Sequence, residues 1–213
     1  MNQILYNKIT SHESKEKSSK QMAFKLLFFG SSFLLFVIIS SYLLNLQLLN
    51  SKDNTSQVIA NNYNILRLYN TSLDGQVYNK NGQTFTVIGM IEIPKINIYY
   101  PIISESNDEF LKISPCRISG PMPNEDGNLC IAGHNYDNYK FFSKVSSLTN
   151  DDEIIIYNMN GYKFIYKVYS IYEVSANDLS PLNDDSKIKK QVTLVTCNNF
   201  NSNTRIIIKA SSI

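Results

Sequence analysis

The sequence predicts a mostly β domain, an antiparallel barrel or sandwich, carried behind one N-terminal transmembrane helix. Three observations predict it. From Thr84 onward, short runs rich in Val, Ile, Thr and Tyr are separated by Gly, Pro, Asn and Asp turn signals. Leu26 to Leu44 is a nineteen-residue stretch with no charge, rich in Leu, Phe and Ile. Near the C-terminus, Thr193-Leu194-Val195-Thr196-Cys197 ends in a cysteine and Arg205-Ile206-Ile207-Ile208 opens on an arginine, so two adjacent strands set a thiol and a cation at one end of a sheet.

The apolar stretch comes first. At 1.5 Å per residue its helix would span roughly 28 Å, close to the ~30 Å hydrocarbon core of a bilayer. A buried core helix is seldom apolar on every face for so long. A cleaved signal peptide has a shorter apolar region and a small-x-small site, and Ser40 to Asn50 offers no Ala-x-Ala pattern. An uncleaved anchor over residues 26–46 is therefore expected. Residues 1–25 hold five lysines, Lys8, Lys15, Lys17, Lys20 and Lys25, against Glu13 and Glu16. This basic tail predicts a cytoplasmic N-terminus and an extracytoplasmic remainder at the cell membrane. The net charge of +2 is too small to argue for a nucleic-acid partner.

Residues 47–83 are polar and asparagine-rich, with apolar positions sufficient only for a short helix. They read as a stalk ending in the turn signal Asn79-Lys80-Asn81-Gly82. The folded domain is expected over 84–213. Its strands are Thr84 to Ile93, Ile96 to Ile102, Asn128 to Ala132, Glu153 to Tyr157, Tyr162 to Val174, Gln191 to Thr196 and Arg205 to Ala210. Pro94-Lys95 breaks the first pair, and Asn158-Met159-Asn160-Gly161 is a hairpin turn. Short helices are expected near Asp108 to Ile113 and Tyr139 to Leu148.

The chemistry-bearing residues lie at strand ends. A thiolate is the nucleophilic form of cysteine and a nearby cation favours it, so Cys197 beside Arg205 is a candidate nucleophile. An isolated cysteine is more often a buried, inert thiol, but this one sits where a strand meets a polar loop. His134 follows the short apolar run Ile131-Ala132-Gly133 and is the only histidine beyond the anchor. It is thus the outer domain's one side chain with an unperturbed pKa near neutrality, the economical general acid and base. Cys116 and Cys130 remain; they either pair as a disulfide across the Pro121 to Gly127 turn region or each pack as a small apolar residue. A zinc site would need three cysteines and a histidine from scattered loops, and none is expected.

Taken together these motifs resemble the sortase family, membrane-anchored cysteine transpeptidases of Gram-positive bacteria. The resemblance rests on Thr193 to Cys197 with Arg205, on Gly127 to His134, and on Ile93-Pro94-Lys95-Ile96-Asn97-Ile98 followed by Tyr100-Pro101-Ile102, and covers roughly residues 85 to 213. It implies an eight-stranded β-barrel with its site at one open face. Cys197 would be the nucleophile, His134 the acid and base, and Arg205 the donor to the substrate carbonyl. Leu194 and Thr196 would shape the pocket, and with Ala132 and Asn135 they count as substrate-binding residues. Asn135, Tyr136 and Asp137 follow the histidine and are placed to orient it. The partners implied are an LPxTG-like sorting signal and an amine acceptor, from a peptidoglycan precursor or a pilin.

No cofactor is expected. Asn124, Glu125, Asp126, Asp184 and Asp185 supply oxygens for calcium, as in some family members, although acidic loops are usually just solvated. Residues 47–90 show no Asp-Pro-aromatic lid and the chain stops after its last strand, which favours a surface-anchoring over a pilus-building type. Two other classes are an extracellular cysteine hydrolase that uses water as acceptor and a non-catalytic membrane-tethered binding module.

Overall fold

The computed structural model describes residues 27–43, 54–68, 76–80, 82–136 and 140–213, which divide into two units at Asp53/Asn54. In the first unit, residues 27–43 form a helix, α1, with every side chain exposed. Its Ser31 hydroxyl donates back to the carbonyl of Phe28 at 2.9 Å, so that hydroxyl is satisfied within the helix. Among the described residues no helix is long and apolar enough to cross a membrane. The basic tail over 1–25 and both ends of the expected anchor lie outside the described residues.

Among the described residues the second unit contains nine strands: β1 (Val77–Lys80), β2 (Gln83–Ile93), β3 (Ile98–Ile103), β4 (Cys116–Ser119), β5 (Gly127–Ala132), β6 (Glu153–Asn158), β7 (Lys163–Ser175), β8 (Lys190–Cys197) and β9 (Thr204–Ser212). β1 pairs only with the first residues of β2, as a hairpin. The other eight close on themselves in the order β2-β3-β4-β5-β8-β9-β7-β6, because β2 also pairs with β6. The result is an eight-stranded barrel.

Two of its seams, β3–β4 and β5–β8, are parallel rather than antiparallel. Parallel neighbours need a crossover, and helix α3 (Asp108–Ile113) supplies the one between β3 and β4. α3 forms where Asn107 accepts the N–H of Phe110 at 2.8 Å as an N-cap. Asp108 and Glu109 in its first turn and Lys112 in its last suit the helix dipole. No helix spans Tyr139 to Leu148. Tyr139 lies outside the described residues, and the remainder is turns and one 3₁₀ turn, Val145–Ser147.

Period-two alternation builds the interior. Val192 and Leu194 of β8, Leu129 and Ile131 of β5, and Ile206, Ile208 and Ala210 of β9 share one buried cluster with Phe142, Leu148 and Tyr166. A second core lies where Phe85, Val87, Met90, Ile103, Ile155 and Tyr157 meet Phe110 and Ile113 of α3 and Ile59, Ala60 and Tyr63 of helix α2 (Thr55–Leu68). Each such side chain contributes roughly 1.5–3 kcal/mol by leaving water. The Tyr63 hydroxyl also donates to the Asn158 carbonyl at 2.7 Å, and the Arg67 guanidinium lies 4.9 Å from the Tyr157 ring centre.

The compact unit thus begins at Asn54, whereas the polar composition of 47–83 suggests a stalk as far as the hairpin turn. The difference has a physical source. Among its described side chains α2 buries one narrow stripe, Ser56, Ile59, Ala60 and Tyr63, and the rest are partly or fully exposed. β1 is a short polar edge strand.

Candidate active site

The three residues singled out from the sequence lie at one end of three adjacent strands. Cys197 is the last residue of β8 and directly opposes Arg205 of β9. Directly opposed residues of an antiparallel pair point to the same face, with Cβ atoms about 4.5–5.5 Å apart. On the other side of β8, the parallel register with β5 runs from Gly127↔Lys190 to Ala132↔Val195. Counting on two residues brings His134 level with Cys197. The Gly133 N–H donates to the Val195 carbonyl at 3.1 Å and continues the ladder toward that point. Alternation sets Cys197 on the face opposite Leu194 and Thr196. Thiol, imidazole and guanidinium therefore share the outer face of the barrel's end, with Cys197 exposed.

Each is held by its surroundings. The Thr196 hydroxyl, buried, donates to the Gly133 carbonyl at 2.7 Å. Gly133 is required there: a Cβ would lie 2.7 Å from the ring of Phe142, itself fully buried. Phe141, with φ of 52° in the left-handed region, turns the chain so that the Phe142 N–H reaches the His134 carbonyl at 3.0 Å. The Tyr136 ring lies 4.8 Å from the His134 ring and 5.8 Å from Phe141, which in turn meets Tyr100 at 5.1 Å. An aromatic row thus flanks the imidazole on one side. Arg205 Nη1 donates to the carbonyls of Ser202 and Thr204, both at 3.0 Å, so its own loop fixes the direction of the guanidinium. In that loop Asn198 and Asn201 each accept a backbone N–H two residues on, of Phe200 at 2.9 Å and Asn203 at 3.1 Å, and Phe200 stands fully exposed.

Burial pushes the His134 imidazole below its ordinary value of 6.5; Asp108 of α3 acts in the opposite direction and Lys112 in the same one. Desolvation disfavours the charged ring, so the neutral form is favoured near pH 7. The unfolded chain then binds more protons between the folded and unfolded values. The stability this group provides is complete above 6.5 and declines as pH falls through the folded pKa. A proton NMR titration should place the His134 midpoint below 6.5, and a midpoint at or above it would refute this account of its surroundings.

The remaining predicted positions are placed as follows. Leu194 is fully enclosed in the barrel interior and offers no surface to a ligand. Thr196 joins the two strand ends from within, and Ala132 is half-buried beside Val195. Asn135 Nδ2 donates to the Cys197 carbonyl at 2.8 Å. Asp137 lies outside the described residues.

Cys116 and Cys130 are free and buried. They lie on different rungs, Cys116 opposite Ala132 and Cys130 opposite Ser119. The loop oxygens considered for calcium answer local donors instead. Asn124 accepts from Lys190, Asp126 pairs with Lys189, Asp184 accepts the Asn128 N–H, Asp185 the Lys187 N–H and Glu125 the Met122 N–H. Among the described residues no group of three or more His, Cys, Asp or Glu gathers as metal ligands.

Sequence reasoning passed over Gly133, Phe142 and Asn199. Glycine immediately before the histidine was the available signal for the first. It also passed over Asn128, whose buried amide donates to the carbonyls of Pro181 and Asn183 and accepts from Thr193, pinning the segment between β7 and β8 to the sheet.

Comparison with known proteins identifies the family of this fold. The chain is 27% identical over 124 residues to sortase A of Staphylococcus aureus, a match covering 56% of this chain and 59% of that protein. Among solved structures it is similar to a sortase D5 transpeptidase of Clostridium perfringens, with 33% identity, a TM-score of 0.54 and coverage of 64% of this chain and 82% of that one. Sortase C1 of Streptococcus agalactiae superposes with a TM-score of 0.54 at 25% identity, over 60% of this chain and 67% of that one. The family model for the sortase domain matches residues 91–213, the stretch from β2 to β9 that contains all three strand-end residues, and the chain belongs to the sortase family.

Proposed function

We propose that this chain is a cysteine transpeptidase that cleaves an LPxTG-like sorting signal and joins the released acyl group to an amine. The observation that carries the reading is the pairing of Cys197 with Arg205 while the β5–β8 register brings His134 level with them. Cys197 passes its thiol proton to the neutral His134 ring and, as the thiolate, attacks the carbonyl carbon of the Thr–Gly bond, and the electron pair of the C=O moves to oxygen. The Arg205 guanidinium, a fixed fork of donors, meets that developing charge. Collapse breaks the C–N bond as His134 gives a proton to the leaving amine, leaving a thioester on Cys197. An incoming amine attacks the thioester and passes its proton to His134, and the thiolate leaves as the new amide forms.

Incubation with a Leu-Pro-x-Thr-Gly peptide should add the acyl fragment to Cys197 in the intact mass. Added triglycine should convert that adduct to a ligated peptide. Water as the only productive acceptor would make the protein a hydrolase, and no adduct with any sorting peptide would remove the reading.

The setting proposed for this chemistry is the outer face of a Gram-positive membrane, with residues 26–46 as anchor and 1–25 inside. The uncharged run and the lysines before it support this. The acceptor would be a peptidoglycan amine, with surface anchoring favoured over pilus assembly. Protease added to intact protoplasts is expected to remove the β domain and to leave the lysine-rich N-terminus protected. Digestion of residues 1–25 under the same conditions would overturn the orientation.

A further inference from the structure

We infer that Asn135 is a positioning residue that holds His134 against Cys197 by bonding the histidine segment to the carbonyl of the nucleophile itself. This rests on the transpeptidase reading for its purpose, but its geometry stands independently. The backbone ladder between β5 and β8 ends at the Gly133 N–H and the Val195 carbonyl. Beyond it, β8 gives way to the asparagine-rich loop, whose Asn198 N–H turns toward the Thr204 carbonyl at 3.3 Å. His134 thus lies past the last backbone rung, where a strand end would fray.

Side chains take over the connection there. Thr196 Oγ1 donates to the Gly133 carbonyl at 2.7 Å, and Asn135 Nδ2 to the Cys197 carbonyl at 2.8 Å. These bonds join the residue on each side of His134 to the last two residues of β8. The carbonyl of His134 itself is held by the Phe142 N–H at 3.0 Å. The amide orientation of Asn135 follows from chemistry: the Cys197 carbonyl only accepts, so the nitrogen must face it. Asn135 Oδ1 then accepts from Asn199 Nδ2 at 3.3 Å, which links the histidine segment to the loop leading to Arg205. One carboxamide therefore touches the neighbourhoods of all three strand-end residues. The amide is committed to the protein's own groups, which suits the orienting place after the histidine rather than the substrate contact also suggested by the sequence.

A general acid misplaced by about 1 Å can cost a reaction up to roughly 100-fold, so loosening this bond should act on the chemical step rather than on substrate binding. In the full chain, Asn135→Ala and Asn135→Asp should each lower kcat for a Leu-Pro-x-Thr-Gly peptide by roughly 10- to 100-fold, with KM close to the parent's. The aspartate keeps the shape and Oδ1 but has no donor for the Cys197 carbonyl, so it should fare no better than alanine. Asn199→Ala, which removes only the support on Oδ1, should give a smaller loss of the same kind and serves if the other two fail to fold.

The second readout needs no turnover. The pH dependence of Cys197 alkylation by iodoacetamide should move in Asn135→Ala in the same direction as in His134→Ala. A raised KM with kcat preserved would make Asn135 a substrate contact and overturn the proposal, as would a parent-like kcat and alkylation profile in folded variants. If the parent cleaves no sorting peptide, the transpeptidase reading fails by itself, and the alkylation profile still decides the role of Asn135.

Discussion

Cys197→Ala is expected to abolish both cleavage and transfer, whereas Cys116→Ala and Cys130→Ala retain turnover and lose only stability. The three thiols differ in surroundings far more than in chemistry. Cys116 is fully buried, its Sγ directed to the Ser114 carbonyl at 3.3 Å, and burial pushes it up to about 12. Cys130 is also fully buried and raised by burial, with its Sγ on the Asn128 carbonyl at 3.4 Å. Neither can present a thiolate to a peptide. Cys197 is exposed, ends its strand, and has Arg205 directly opposite. Removing the nucleophile of a coupled set costs on the order of 10⁶-fold in kcat. Truncating a packed thiol should cost on the order of 1 kcal/mol in unfolding free energy. Iodoacetamide should therefore add one adduct to the native protein and three after denaturation. Substantial turnover by Cys197→Ala would take the thiol out of the mechanism, and equal loss in all three variants would make the cysteines structural.

The readable parts of this fold are those whose physics is local. β2, β5, β6, β7, β8 and β9 announce themselves by β-branched runs between turn residues, and α3 falls on the short helix expected near Asp108 to Ile113. β4 was hidden because Cys116–Ser119 is four residues long, wedged between Pro115 and Gly120, and pairs with β3 at a single position. The parallel seams were hidden as well, since no local pattern reports which distant strand will lie alongside.

At the site, Cys197 and Arg205 were legible because a strand, a six-residue loop and a second strand follow one another in the chain. That His134 comes level with them depends on the β5–β8 register, a long-range fact for which only the family resemblance stood in. Leu194 shows the converse error. It belongs to the motif, but alternation turns it inward, so its part is to pack the barrel that holds Cys197 outward.

Arg205→Lys is expected to lose roughly 100- to 1,000-fold in kcat/KM, the usual cost of about 2.7–4 kcal/mol for one oxyanion donor. The structure sharpens the reason. Arg205 Nη1 is already committed to the carbonyls of Ser202 and Thr204, which leaves the rest of the fork aimed in a direction set before substrate arrives. A lysine ammonium is a single point with three donors. If it satisfies those carbonyls it has little left for an oxyanion, and if it turns to the substrate it abandons them. Arg205→Ala should lose at least as much, with the fold retained, because β9 pairs with Cys197 on one side and Val174 on the other through its backbone. The alkylation rate of Cys197 should change far less in Arg205→Lys, which keeps a cation beside the thiol, since that reaction builds no oxyanion. Turnover of sorting peptide by Arg205→Lys at close to the parent rate would reduce Arg205 to a strand-edge cation.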